Sequence, residues 1–163
     1  MNRIFYLFLL CLLPITVSAH ETAKSGIILD HPWIRATAAN APMTAGYFKI
    51  TNGGFSDDRL IGVTADFANS VEIHETIKVG EISKMRAISG GLTLPEEAEI
   101  IFKPGGMHLM FRGLQQQMVA GETFQVEMQF EETGSIMVEF LVEKASKRGH
   151  DHSENMKLGT GHH

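Results

Sequence analysis

From Phe124 to Glu131 apolar and polar side chains alternate one for one. Phe124, Val126, Met128 and Phe130 fall on one side, and Gln125, Glu127, Gln129 and Glu131 on the other. A period of two puts the apolar set on one buried face of a β-strand. The alternation pauses at Thr133-Gly134 and resumes with Ile136, Val138, Phe140 and Val142, which predicts a hairpin turning at that pair. Shorter apolar runs precede it at 46–50, 60–63, 71–74, 82–88, 98–102 and 107–111. They are punctuated by Asn52-Gly53-Gly54, Gly90-Gly91 and Pro104-Gly105-Gly106. Many short strands, glycine-rich turns and no sustained helical period predict an all-β sandwich or barrel.

The two ends break this pattern. Residues 4–17 are almost unbroken apolar, Asn2-Arg3 supplies a positive start, and Val17-Ser18-Ala19 offers a small-residue cleavage site. Residues 1–19 therefore read as a signal peptide cut after Ala19, which places the mature protein in the periplasm. A membrane span takes about 20 apolar residues; this run is shorter, contains Pro14, and has no later counterpart, so stable membrane insertion is not expected. Cys11 lies inside the apolar run behind bulky leucines, unlike a lipoprotein cysteine, and leaves with it. Residues 20–26 form a polar lead, 27–145 the single β-patterned domain, and 146–163 a polar tail without periodicity, expected to be flexible.

Charge and cysteine content narrow the function. The chain carries 14 Lys and Arg against 19 Asp and Glu, and the leader removes only Arg3, so the mature domain is mildly acidic. That balance gives no electrostatic case for nucleic acid. Cys11 is the only cysteine, so the mature chain has neither a disulfide nor a thiolate to offer a metal. An electron-transfer cupredoxin, whose blue-copper site needs a Cys thiolate, is thereby set aside.

The chemistry-bearing residues are histidine and methionine. In His108-Leu109-Met110 the first and third side chains leave the same face of a strand, with Cα atoms roughly 6.6 Å apart. Pro104-Gly105-Gly106 puts this pair at a strand entrance, near a rim. His74 ends the run 71–74, and a hairpin after it would bring Met85 back across from it. Together His74, Met85, His108 and Met110 make a His2Met2 set. Neutral thioethers suit Cu(I), whereas zinc sites favour thiolate, carboxylate or three imidazoles. The same residues also admit a bland reading, since methionine fills core gaps and a single strand histidine is commonly a surface residue. Glu72 and Glu75 flank His74, either orienting its ring or simply solvated. Met107 should face away from the His-x-Met pair, while Met118, Met128 and Met137 read as packing, and His31 and Met43 fall outside the pattern.

These spacings resemble the PCu(A)C family of periplasmic copper chaperones. The family's signature is a histidine, ten residues, a methionine, about twenty-one residues, then His-x-Met; here the second gap is twenty-two residues. The extra residue is expected in the turn region 90–95. Trp33-Ile34-Arg35, Tyr47 with Thr51-Asn52-Gly53, Arg59-Leu60, Met85-Arg86 and Lys103-Pro104-Gly105-Gly106 extend the resemblance over residues 30–143. It implies a cupredoxin-like Greek-key fold that is not an enzyme, with a Cu(I) site at His74, Met85, His108 and Met110. It further implies delivery of copper to the binuclear centre of cytochrome c oxidase subunit II, or to a fellow chaperone. A periplasmic copper buffer serving resistance would use the same site. Some members are similar in carrying a His/Met-rich extension, so His150, His152, Met156, His162 and His163 are candidate Cu(II) ligands or a nonspecific scavenger. His20, at the new N-terminus, could chelate Cu(II) as in copper monooxygenases, or stand there by accident of cleavage.

Overall fold

A computed structural model describes residues 21–79 and 82–144. Residues 1–19, where a signal peptide is expected, with Cys11, as well as His20 and the segment 146–163 with His150, His152, Met156, His162 and His163, lie outside the described residues.

The described chain is built of eleven strands. They are β1 (Glu21–Lys24), β2 (Ile27–Arg35), β3 (Met43–Asn52), β4 (Asp58–Thr64), β5 (Ala68–Val79) and β6 (Ile82–Ala87), followed by β7 (Leu92–Leu94), β8 (Glu99–Phe102), β9 (His108–Leu114), β10 (Thr123–Phe130) and β11 (Gly134–Glu143). The hydrogen-bonded order is β6-β5-β9-β3-β2-β11-β10-β4-β7, with β1 added to β2 and β8 to β3. All neighbours are antiparallel except β11 and β2. The ladder ends at β6 and β7 and does not close, which makes the fold a wrapped all-β sandwich rather than a fully bonded barrel. All the runs expected from periodicity form strands, and the polar lead contributes β1.

Alternation fixes the core. Val126, Met128 and Phe130 of β10 and Ile136, Val138, Phe140 and Val142 of β11 are buried between exposed or half-buried neighbours. Opposite them Phe48 stacks on Phe102 with centroids 4.1 Å apart and meets Phe140 edge-on at 5.9 Å. Met118 and Met128 pack as expected, but Met137 does not. It occupies an outward position of β11 and is 57% exposed, because it alternates with buried Ile136 and Val138.

Two features join the strands into one body. Buried Asn52 donates through Nδ2 to the carbonyls of Ser56 and Leu94, both at 2.9 Å, tying β7 to the β3–β4 turn. Asp58, 6% exposed, accepts from the backbone N–H groups of Arg59, Glu132 and Thr133 at 2.7–3.1 Å, fixing the β10–β11 turn to β4. Burial alone would raise its pKa, but those backbone donors outweigh it and hold the carboxyl below the ordinary aspartate value.

Strand β9 positions the site. It lies between β5 and β3, and Leu109 and Phe111 are fully buried in the core with Met107 packed against the same cluster. At Gly46 of β3 a Cβ would sit 2.7 Å from the Phe111 ring, so only glycine lets β3 and that ring approach. With odd-numbered residues committed to the core, His108 and Met110 turn to the opposite face.

Candidate metal centre

Register assembles the four proposed ligands on one face of β9, β5 and β6. His108 is directly across from His74, and Met110 is directly across from Glu72, which shares His74's face. In the β5–β6 hairpin His74 pairs with Ala87 and Thr76 pairs with Met85. Met85 thus returns to the His74 face as expected, but one pleat along, in a diagonal position. His74, His108 and Met110 are buried, whereas Met85 is 62% exposed.

Each histidine has one ring nitrogen engaged and one free. Nε2 of His74 lies 2.7 Å from Oε2 of Glu72, and Nδ1 of His108 lies 3.0 Å from the Gly106 carbonyl oxygen. An ionised carboxylate and a carbonyl only accept, so those two nitrogens carry the protons. The lone pairs then fall on Nδ1 of His74 and Nε2 of His108, and these are the two buried side-chain polar atoms without a partner among the described residues. Burying an acceptor unpaired costs about 1–3 kcal/mol. The ring centroids are 5.7 Å apart. An imidazole nitrogen ligates a metal at about 2.0–2.1 Å, which puts each ring centroid roughly 3 Å from the ion. Two rings at the observed spacing can share one ion.

The electrostatics keep the site ready for a cation. Burial pushes the His108 imidazole below its ordinary pKa; the Gly106 hydrogen bond opposes the shift, and the nearby His74 and Arg35 side chains add to it. The hydrogen bond from His74 holds the Glu72 carboxyl below its ordinary value, against the opposing effect of desolvation and with help from Arg112. Glu72 also lies 3.6 Å from Arg112, so one carboxylate links both side chains. Glu75 points elsewhere and pairs with Arg86 at 3.1 Å.

Beside the histidine pair is a cavity of about 580 Å³, lined by Met85, His108 and Met110 together with Arg35, Tyr47 and Met43. Trp33 packs on Tyr47 at 4.5 Å between centroids, and the Arg35 guanidinium lies 5.8 Å from the Tyr47 ring centre. Burial raises the Tyr47 pKa, with Arg35 opposing, so the phenol stays protonated. Among the described residues no three His, Cys, Asp or Glu side chains come together as a metal site. The side chains that stand on the same face as the two imidazoles include the thioethers of Met85 and Met110.

Sequence reasoning left Met43 out, and it is part of this cavity. Its signal is visible only with the β3–β9 register, because nothing in the local sequence relates Met43 to Met110. Arg35 and Tyr47 stood in the matching stretches but were given no role, and both line the cavity. His31 sits at an irregularity of β2 with φ 49° and faces Glu143 at 3.2 Å, away from the site.

Comparison with known proteins places this geometry in context. The model of the LpqE-like family, described as one of lipoproteins, matches residues 27–142. Lxx21020 of Leifsonia xyli subsp. xyli, named as a lipoprotein, is 28% identical over 122 residues, covering 74% of this chain and 72% of that protein. The uncharacterized protein RP573 of Rickettsia prowazekii is 25% identical over 123 residues, with 74% and 68% covered. Among solved structures, the copper-bound PCuAC domain from PmoF2 superposes with a TM-score of 0.65 at 26% identity, covering 77% of this chain and 98% of that domain. The Cu(I) form of DR1885 from Deinococcus radiodurans superposes with a TM-score of 0.60 at 22% identity, covering 78% and 83%. The chain therefore has the cupredoxin-like fold of these domains.

Proposed function

The chain belongs to the LpqE-like family, and on that premise we propose that it is a copper chaperone, binding Cu(I) as cargo through His74, Met85, His108 and Met110. The observation that carries this reading is the pair of buried, unpartnered ring nitrogens on facing strands, each with its other nitrogen held by an acceptor. Cu(I) is soft and accepts neutral nitrogen and thioether donors, and the two methionines stand on the same face. Likeness to domains solved with copper supports the choice of ion.

A carrier, rather than a catalyst, fits the arrangement. The ligands are neutral, so the ion enters without a thiolate to hold it permanently, and Met85 is accessible to a partner. We place the mature protein in the periplasm, exported by residues 1–19 and cleaved after Ala19, with the binuclear copper centre of cytochrome c oxidase, reached directly or through another chaperone, as recipient. The tail residues His150, His152, Met156, His162 and His163 are proposed as accessory Cu(II) ligands.

The test is titration of the protein, with and without residues 146–163, by Cu(I) under reducing conditions and by zinc in parallel. One tightly held Cu(I) per shortened chain is expected, weakened strongly by Met85→Ala or Met110→Ala. Zinc bound as tightly as Cu(I) would refute the ligand set. Deletion in cells should impair oxidase assembly; copper sensitivity with intact oxidase would make the protein a buffer instead.

A further inference from the structure

Met43 opens β3 on the cavity face. Ala45 pairs with Met110, and Met43, two residues earlier, pairs with Arg112. Residues two apart share a face, so Met43 is the diagonal neighbour of Met110, at a Cα separation of about 7–8 Å that long side chains bridge. It lines the cavity together with Met85, His108 and Met110. Core filling does not explain it, because neither the buried cluster nor the half-buried side chains packed on that cluster include Met43 among the described residues.

Exposure grades the thioethers. Met85 is 62% exposed, Met43 47% and Met110 9%, while His108 is 4% exposed. Two methionines therefore stand at the mouth of the cavity and one at its base beside the histidines. An ion entering from solvent or from another protein meets sulfur before it meets nitrogen.

We propose that Met43 is a transfer ligand, a thioether that takes incoming Cu(I) at the cavity mouth and passes it to the His74–His108–Met110 base. The inference rests on the copper-carrier reading. In the step proposed, a Cu–S bond to Met43 Sδ forms as the donor releases one of its own ligands. Bonds to Met110 Sδ and His108 Nε2, and then to His74 Nδ1 and Met85 Sδ, form as the donor's remaining ligand leaves and the bond to Met43 breaks. The ion remains Cu(I) throughout, and neither neutral imidazole nor thioether gains or loses a proton or an electron. Met43 acts on the path and is not needed in the final shell, which the two histidines, Met85 and Met110 complete. A thioether held within a few ångströms of the site acts at an effective concentration on the order of millimolar or more, which gives the ion a second hold while donor bonds break.

The experiment compares the full chain with its Met43→Leu and Met110→Leu variants, using Cu(I) complexed by a chromogenic bidentate chelator as donor and excess free chelator as acceptor. Leucine keeps the bulk and removes the sulfur, and Met43 is exposed enough that circular dichroism and melting should match the parent. Met43→Leu should slow both loading and unloading by about tenfold, corresponding to about 1.4 kcal/mol of barrier, and leave equilibrium affinity within about twofold. Both rates must fall together, because a ligand absent from the end state cannot change the equilibrium. Met110→Leu should lose affinity itself. Parent-like rates in Met43→Leu would overturn the proposal, and so would an affinity loss matching that of Met110→Leu, which would make Met43 a resident ligand. Failure of the unaltered protein to take Cu(I) at all would instead sink the carrier reading beneath it.

Discussion

Replacing His108 by leucine should stabilise the metal-free domain and abolish the stabilisation that copper provides. In the folded protein Nε2 of His108 is a buried lone pair without a partner, at a cost of about 1–3 kcal/mol. Leucine removes that atom. It also removes the bond from His108 Nδ1 to the Gly106 carbonyl, worth about 0.5–1.5 kcal/mol net, but the carbonyl is not orphaned. The backbone N–H of Thr76 donates to the same oxygen at 3.2 Å. The balance favours the variant by about 1 kcal/mol, or a rise of roughly 3–5 °C in Tm for a domain of this size. Copper reverses the order. At a free ion concentration of about a thousand times Kd, the parent gains about 4 kcal/mol, while the variant has lost a nitrogen ligand and gains little. Thermal melts of both proteins with and without Cu(I) read the two effects together, as curves that exchange places on adding metal. A metal-free variant that melts several degrees below the parent would refute the reasoning, since His108 would then be a satisfied core residue. A full copper shift retained in the variant would refute the ligand assignment separately.

Three further outcomes follow from the same contacts. The His108 pKa is lowered in the folded state, so below the unfolded value near 6.5 the unfolded chain binds a proton that the folded site refuses. Metal-free stability should therefore be level above about pH 6.5 and fall on acidification, and denaturant titrations of the parent against His108→Leu should show that this part of the slope disappears in the variant. Asp58→Ala leaves three backbone N–H groups without their carboxylate and should cost about 2–4 kcal/mol by urea unfolding, with Cu(I) stoichiometry unchanged. Glu72→Ala frees the ring of His74 and lets its proton move to the ligating nitrogen; competition titration should show Cu(I) affinity down by about 10–100-fold, as for other ligand-orienting groups, and Glu72→Gln, which keeps an acceptor oxygen, should recover part of it.

The hairpin β10–β11 was legible because its alternation is unbroken over two strands and faces one core. Strand β2 was not, although it is the junction of β3 and β11. Its register shifts between Asp30 and Trp33, where His31 takes a positive φ and Pro32 has no N–H, so the run 27–35 shows no continuous period. Strand β7 is only three residues and is held by Asn52 from a distance, a contact that leaves no local pattern. For the site, the His-x-Met spacing on one strand was readable because i and i+2 share a face whatever the fold. The facing of His74 and His108 was not, since it depends on the β5–β9 register across 34 positions. Nor could the sequence separate a ligand histidine from a satisfied one. Which ring nitrogen of each histidine is bonded has no trace in the sequence, and it is seen only in the contacts with Glu72 and Gly106.

At the proposed copper site Arg35 should add a preference that ligand softness alone does not. Its guanidinium lines the cavity over Tyr47, and its charge is felt at His108. Cu(I) brings one positive charge to neutral ligands, with ionised Glu72 behind His74 as the nearest compensation. Zinc brings two, and every unit of charge meets the same repulsion from Arg35. At a separation on the order of 10 Å and an effective dielectric of about 20, the additional unit costs about 1.7 kcal/mol. Softness and charge therefore act in the same direction, thioethers favouring Cu(I) and the guanidinium disfavouring a divalent competitor. Arg35→Gln, which keeps a polar side chain of similar reach, should raise zinc affinity roughly tenfold more than it raises Cu(I) affinity. The comparison is made at low and at high salt, because a Coulombic effect at a partly open cavity shrinks as the Debye length shortens from about 10 Å at 0.1 M to about 3 Å at 1 M. Equal gains for the two ions would mean that Arg35 sets the shape of the cavity through Tyr47, with no part in choosing the metal.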